Sequence, residues 1–161
     1  MFSASGAQFS ESISNVDVLL LAVLQPTSAS GFNNIVFGTY NPTTSNQAGN
    51  MGVTYNPSNN TASVTVNANI GPSVLFTNNL NVFYLLRRGE YIKVRSGGGS
   101  SAQTHTFTLN ANSFGLGSAW ITDIKSLTGY ASEFIAFIGS IPADDEIEEM
   151  VENMKLFWGA D

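Results

Sequence analysis

The stretch EFIAFIGSIPADDEIEEMVENMKLFWG, residues 133 to 159, decides the fold because two kinds of hydrophobic pattern meet in it. Its first part holds FIAFI (134–138), a continuous apolar run that is typical of a strand covered on both faces. After Pro142 the period changes, and apolar residues recur at the spacing of one helical stripe: Ile147, Met150, Val151, Met154 and Trp158. The stretch therefore predicts a β protein that ends in one amphipathic helix, covering about 143–158.

The charges within this segment agree with a helix. Six of the twelve carboxylates of the chain lie between Asp144 and Glu152, Lys155 lies near the end, and Gly159 follows at the position of a C-terminal cap. Negative charge at the start of a helix and positive charge at its end both complement the helix dipole. We therefore interpret the acidic run as helix-start charge and a solvated helix face, and not as a calcium or catalytic site.

Short strands separated by turn residues make up the rest of the chain. Alternation in TASVTVNAN (61–69) is typical of a half-exposed strand, whereas VLLLAVL (18–24) is apolar throughout, as in a strand buried on both faces. Asn-Pro and Gly-Pro pairs and the glycine-rich SGGGSS (96–101) separate such segments. We predict strands at 16–25, 33–40, 50–56, 61–69, 80–87, 90–96, 104–110, 117–122 and 130–138. This pattern predicts an antiparallel sandwich over residues 1–140, within one domain, 1–161.

Charge and length exclude several function classes. The chain has 161 residues and a net charge of −6, but five carboxylates and five bases balance before Pro142. Such a body lacks the clustered excess of Lys and Arg that binds phosphates, so we expect no nucleic-acid partner. The apolar run at 16–26 is about half of the ~20 residues that a membrane helix needs, so we expect no membrane insertion. If Met1 is the native start, the absence of a basic residue before this run also argues against a signal peptide.

The closing segment gives a family resemblance. An apolar strand with a glutamate (ASEFIAFIGSI, 131–141), an acidic helix start and MKLFWG (154–159) resemble the end of the concanavalin A-like lectin/glucanase superfamily, in its laminin-G-like (LamG) bacterial and phage branch. DVLLLAVLQPTSASGFNNIVFGTYNP (17–42) resembles an early core strand and turn of that branch, and NVFYLLRRGEYIKVRSGGG (81–99) its hairpin and glycine loop. The resemblance implies an all-β, two-sheet antiparallel jelly-roll sandwich, on which the C-terminal helix packs through the whole stripe, Trp158 included.

No catalytic residue, metal site or cofactor is predicted. Glucanases of this superfamily carry a Glu-x-Asp-x-x-Glu strand, and a retaining enzyme needs two carboxyls about 5 to 5.5 Å apart. This chain has no such strand, and the body carboxylates are isolated from one another. The chain has no cysteine and only one histidine, His105, which we interpret as a packed residue beside core positions.

The segment RRGEYIKVR (87–95) holds four of the six bases and is the candidate binding site. Alternation places Tyr91, Lys93 and Arg95 on one side of a strand. An aromatic ring beside two cations suits stacking on a sugar or pairing with an acidic glycan or a carboxylate of a protein partner, although an ordinary solvated sheet face is the alternative. We predict binding through Tyr91, Lys93, Arg95, Arg87 and Arg88, with Tyr40 and Tyr55, beside their Asn-Pro turns, as second candidates for sugar stacking.

These features together favour a non-catalytic surface module. We expect a bacteriophage virion structural protein, a head decoration or tail-associated component on the virion surface, that contacts other virion proteins or host-surface glycans. The alternative is an extracellular carbohydrate-binding domain of a larger secreted or cell-surface protein, and a second alternative is a glycan hydrolase. The sequence leaves a homo-oligomer open.

Overall fold

The computed structural model describes residues 7–26, 34–40, 51–66, 69–77, 79–97, 99–116 and 129–161. These residues form eleven strands and one helix. The strands are β1 Ala7–Ser14, β2 Val18–Pro26, β3 Asn34–Tyr40, β4 Met51–Asn56, β5 Thr61–Val66, β6 Asn69–Leu75, β7 Asn81–Arg88, β8 Tyr91–Ser96, β9 Gly99–Thr104, β10 Asn110–Leu116 and β11 Gly129–Ile138, and the helix is α1 Asp144–Trp158. No helix among the described residues is long and apolar enough to cross a membrane.

The strands form two antiparallel sheets. Sheet A has six strands in the order β1-β10-β3-β4-β5-β6, and sheet B has five strands in the order β11-β2-β7-β8-β9. Strand β2 therefore lies inside sheet B, between β7 and β11, while β11 forms one edge of that sheet. The predicted all-β, two-sheet antiparallel architecture with one C-terminal helix is confirmed.

Some strand predictions were wrong at turn-like residues. The Gly-Pro pair at 71–72 lies inside β6, where proline is tolerated because β6 is the edge strand of sheet A. SGGGSS was predicted to separate strands, but Ser96 ends β8, and Gly99 to Ser101 belong to β9, which pairs with β8. The predicted strand at 104–110 falls mostly between β9 and β10, and β1 was not predicted. The predicted strand at 117–122 lies outside the described residues.

The first hydrophobic core lies between the two sheets. Alternate residues of β4 and β5 are buried, as the period-2 pattern requires: Met51, Val53 and Tyr55 from β4, and Ala62, Val64 and Val66 from β5. Sheet B contributes the inward residues of β2, β7 and β8, among them Leu20, Phe83 and Val94. This core accounts for one face of sheet B only.

The second core lies on the other face of sheet B, beneath α1. Leu19, Leu21 and Val23 of β2 and Val82, Tyr84 and Leu86 of β7 pack with Ile147, Val151 and Met154 of the helix. Both faces of β2 and β7 are thereby covered, and seven consecutive residues in each strand are buried. The continuous apolar run at 18–24 is therefore explained by a sandwich on one side and a helix on the other.

Local interactions fix both ends of α1. The carboxylate of Glu146 accepts a hydrogen bond from the backbone N–H of Ala143 at 2.8 Å, which satisfies a donor at the helix start. Gly159 ends the helix in the left-handed conformation, with φ of 62°, and its N–H donates to the carbonyl of Lys155. The observed helix differs from the predicted range by one residue.

The predicted burial of the stripe was wrong at its last member. Ile147, Val151 and Met154 are buried, but Trp158 is 37% exposed. Met150 is half-buried. Leu156 and Phe157 are exposed as well, so the last turn of α1 reaches solvent and Trp158→Ala would not open an enclosed cavity.

The residues after the helix return to sheet B. The N–H of Asp161 donates to the carbonyl of Leu80 at 2.8 Å, and its carbonyl accepts from the N–H of Val82 at 2.9 Å. The Asp161 carboxylate accepts from Thr77 Oγ1 at 2.7 Å and from Asn79 Nδ2 at 3.0 Å. These side-chain hydrogen bonds, first that from Thr77 and then that from Asn79, lower the pKa of Asp161.

Docking of α1 on sheet B predicts that substitutions of two apolar residues of the helix change stability by very different amounts. Ile147 is 2% exposed and Leu156 is 86% exposed. We expect Ile147→Ala to lower the free energy of unfolding by about 2 to 5 kcal/mol, because it leaves a cavity in the second core. Leu156→Ala is the matched control and should leave stability nearly unchanged. Urea denaturation of both variants checks this, and equal midpoints would mean that α1 does not dock on sheet B.

The Asp161 contacts predict a pH-dependent contribution to stability. Because the folded-state pKa is depressed, the contribution is present above the unfolded-state pKa and is lost as pH falls through the folded-state pKa. Asp161→Asn should therefore be less stable than the parent at pH 7, and the difference should shrink toward pH 2. Thermal denaturation across that range measures it, and a difference that is the same at every pH would contradict the prediction.

Candidate functional site

The hairpin of β7 and β8 has the alternation that the sequence predicts. Ile92 and Val94 are buried in the first core, whereas Tyr91, Lys93 and Arg95 lie on the other face of β8. Tyr91 is 42% exposed. The hairpin thus brings together the three residues that the sequence places on one face, and this is the face of sheet B on which α1 packs.

The cations of this face are bound to the acidic helix. Arg95 forms an ion pair with Glu148, and its Nη2 lies 3.5 Å from Glu152 Oε1. Lys93 Nζ lies 3.8 Å from Glu148 Oε1 and 5.5 Å from the centre of the Tyr84 ring. The carboxylates of α1 therefore occupy the position in which we expected an acidic ligand.

The two arginines at the end of β7 have structural partners as well. Arg88 forms an ion pair with Asp144 and donates to the carbonyl of Pro142 at 2.6 Å, so it holds the start of α1. Arg87 is only 1% exposed, and it donates to the carbonyl of Val16 at 2.5 Å and to Asn15 Oδ1 at 2.8 Å. Burial lowers the pKa of Arg87, and the charge of Asp17 partly opposes this effect. Arg87 is therefore a buried structural residue, and it is not accessible to a ligand.

Of the two tyrosines predicted as second candidates, Tyr55 is not accessible to a ligand. Tyr55 is 5% exposed, its hydroxyl donates to Asn60 Oδ1, and its ring meets that of Phe76 edge to face, with 5.7 Å between the centroids. Burial raises the pKa of Tyr55. Tyr55 is thus a core residue, because strand alternation points it inward. Tyr40 is the last residue of β3, and its side chain lies outside the described part of the chain.

His105 and the carboxylates form no catalytic or metal-binding cluster in the described ranges. His105 Nε2 lies 3.0 Å from Gln103 Oε1, which makes it a hydrogen-bonded, half-buried residue, as predicted. No group of three or more His, Asp or Glu side chains among the described residues could hold a metal ion. Asp123 lies outside these residues.

A groove lies between α1 and β11 in the described part of the chain. Two cavities of about 630 and 900 Å³ adjoin along the helix, and Asn153 lines both. The first is lined by Phe137, Ser140, Ile141, Pro142, Glu146, Glu149, Met150 and Asn153, and the second by Ser132, Glu133, Asn153, Met154, Leu156, Phe157 and Trp158. Both are wide open to solvent, so the groove is shallow.

A bulge in β11 positions the carboxylate of this groove. Ala131 pairs with Leu24 and Glu133 pairs with Val23, so Ser132 is an extra residue between them. Because directly paired residues share a face, Glu133 lies on the helix side with Val23, while Ala131 packs against the first core. Without the bulge, Ala131 and Glu133 would share one face.

The aromatic end of the groove combines rings with a fixed acceptor. Trp158 Nε1 donates to Glu133 Oε2 at 2.9 Å, which orients both side chains. Phe157 is 78% exposed and packs edge to face on Trp158, with 5.1 Å between the centroids. A carboxylate that holds one donor can accept further hydrogen bonds, and exposed ring faces can stack on apolar surfaces. This end of the groove can therefore bind a ligand that has both hydroxyls and C–H faces.

Sequence reasoning missed this groove, although one signal was available. Leu156, Phe157 and Trp158 are consecutive, and successive helical residues are about 100° apart, so they cannot all face one core. At least part of this run had to reach solvent. The pairing of Trp158 with Glu133 depends on the β11 bulge, which leaves no recognisable pattern in the sequence.

The ion pairs with the hairpin predict different effects for two neighbouring glutamates of α1. Glu148 pairs with Lys93 and Arg95, whereas Glu149 lies within ion-pair distance of no cation among the described residues. Glu148→Gln should lower the free energy of unfolding by about 1 kcal/mol at low salt and by less at high salt. Glu149→Gln is the matched control and should have little effect. Urea denaturation in 20 mM and 500 mM NaCl tests this, and equal values for the two variants would contradict it.

Comparison with known proteins identifies the fold. No protein-family model and no curated protein matches the sequence. A CBM40 module of a Ruminococcus gnavus IT-sialidase, bound to α2,3-sialyllactose, matches with a TM-score of 0.60 at 12% identity, over 91% of this chain and 96% of that one. A pentraxin of Limulus polyphemus matches with a TM-score of 0.58 at 12% identity, over 80% of this chain and 67% of that one. Domains LG4-5 of the mouse laminin α1 chain match with a TM-score of 0.56 at 12% identity, over 87% of this chain and 47% of that one. The chain thus spans about half of the laminin structure. It has the concanavalin A-like jelly-roll fold that these structures share.

Proposed function

We propose that this protein is a non-catalytic module that binds glycans in the groove between α1 and β11. The observation that carries the proposal is the pairing of Trp158 with Glu133 beside the exposed ring of Phe157. Sugars present hydroxyls at their edges and C–H groups on their faces. Carboxylate acceptors and aromatic rings complement these two surfaces.

The fold supports this ligand class. Two of the CBM40 structures that match this chain are bound to sialyllactose, with α2,3 linkage in one and α2,6 linkage in the other. Their similarity to this chain concerns the fold, so the position of the ligand here is argued from the groove and not from theirs.

The composition of the groove supports binding without catalysis. Glycoside hydrolysis normally uses two carboxyl groups that flank the scissile bond. Only one carboxylate, Glu133, is among the described residues that line the aromatic end, and it already accepts a hydrogen bond from Trp158. At the other end, Glu146 is engaged with the backbone of Ala143, and Glu149 is the second carboxylate of the lining.

The biological setting stays a prediction from the sequence. A virion component and a carbohydrate-binding domain of a larger secreted protein are both consistent with a jelly-roll module that binds glycans. The location of the module, its protein partners and its oligomeric state all belong to this prediction.

Binding to a glycan array, followed by titration of the best ligand, tests the proposal. We expect Phe157→Ala to weaken binding by about two- to tenfold, because an aromatic contact contributes about 0.5 to 1.5 kcal/mol. Tyr91→Ala is the matched control, because it removes an exposed ring on the hairpin, outside the groove. Incubation of the bound glycan with the protein should release no new reducing ends.

The opposite effects of these two variants would show that the binding site is not the groove. If Tyr91→Ala abolishes binding and Phe157→Ala does not, the ligand lies on the hairpin. If no glycan on the array binds to the folded parent, the proposed function is wrong. Circular dichroism of each variant distinguishes a lost contact from a lost fold.

A further inference from the structure

We infer that the groove selects uncharged glycans and rejects glycans that carry a carboxylate, such as sialylated ones. The inference rests on the proposed function, because it names the ligand class of the same site. It follows from the unequal distribution of charge around α1.

The lining of the groove is negative. Its ionisable residues among those described are Glu133, Glu146 and Glu149, and no Lys, Arg or His is among the described residues that line either cavity. A sugar carboxylate that enters the groove would meet like charges and would lose water without gaining a cationic partner.

The charges on the hairpin side of α1 are matched instead. Glu148 and Glu152 are four residues apart, so they lie on one side of the helix, and both pair with Arg95. Lys155 extends this side, with its Nζ 3.7 Å from Glu152 Oε1. The hairpin thus neutralises one side of the helix.

The groove side carries carboxylates without such partners. Glu146, Glu149 and Asn153 follow helical spacing along the groove, with Phe157 one turn further on. The buried stripe of Ile147 and Val151 separates this side from the hairpin side. The cations of the hairpin are therefore held away from the groove.

An uncharged sugar fits these groups. Its hydroxyls can donate to the carboxylate of Glu133, which has only the Trp158 indole as a donor within the described contacts. The Asn153 amide offers both a donor and acceptors at the junction of the two cavities. The exposed ring of Phe157 can stack on a C–H face of the sugar.

A glycan array that prints each neutral glycan beside its sialylated form tests the inference. Lactose beside α2,3-sialyllactose is one such pair. For the neutral glycans that bind, we expect the sialylated partner to bind about five- to tenfold more weakly at low salt, with a smaller ratio in 1 M NaCl, where screening acts within about 3 Å.

Two double variants identify the source of the discrimination. Glu133→Gln with Glu149→Gln removes two of the three carboxylates that line the groove and should lower the ratio of neutral to sialylated binding to less than half of the parent value, with only Glu146 left in the lining. Glu148→Gln with Glu152→Gln removes the same number of charges from the hairpin side and should keep the ratio within about twofold of the parent, because these charges lie farther from the ligand.

The outcomes distinguish a failure of the selectivity inference from a failure of the proposed function. Equal or tighter binding of the sialylated forms by the parent overturns the inference and leaves glycan binding in place. A ratio that does not change in the groove variant also overturns it, since the selectivity would then have another cause. Absence of binding to every glycan by the folded parent rejects the proposed function and the inference with it.

Discussion

Strand β2 buries seven consecutive residues, Val18 to Leu24, and so requires an apolar surface on each side of sheet B. The opposing sheet covers one side, and α1 covers the other. A two-layer sandwich alone would leave Leu19, Leu21 and Val23 in water, together with their neighbours on β7. The helix is therefore a third layer that the apolar run of β2 makes necessary, and the other features of this face follow from its position.

Docking of α1 determines which charges remain available. The helix lies over β2 and β7, so its acidic residues on one side come within reach of Lys93 and Arg95 on β8. Arg88 holds the start of the helix through Asp144 and Pro142. Each of these partly exposed ion pairs contributes little to stability, but together they fix the orientation of the helix and neutralise the positive charge of the hairpin. The cluster that looks like an anion-binding site in the sequence is thus an internal interface.

Much of the fold could be predicted from the sequence, because burial leaves periodic patterns. The apolar run of β2, the alternation of β4, β5 and β8 and the stripe from Ile147 to Met154 each depend on local spacing. The predictions that were wrong depend on partners that are distant in sequence. Proline at 72 is tolerated because of the place of β6 at a sheet edge, and the charges of Lys93 and Arg95 are neutralised by residues more than fifty positions away.

The candidate groove exists because β11 extends beyond the cover that α1 provides. The helix packs over β2 and β7, and it leaves the helix side of β11, the edge strand, only partly covered. Phe137 lines the part beside the start of α1, and Glu133 lines the part where Trp158 and Phe157 of the last helical turn reach solvent. Because the bulge at Ser132 turns Glu133 toward the helix, the indole finds an acceptor there and a carboxylate enters this end of the groove. The same third layer that completes the core thus also forms one wall of the groove, so a substitution that shifts α1 would change both stability and binding.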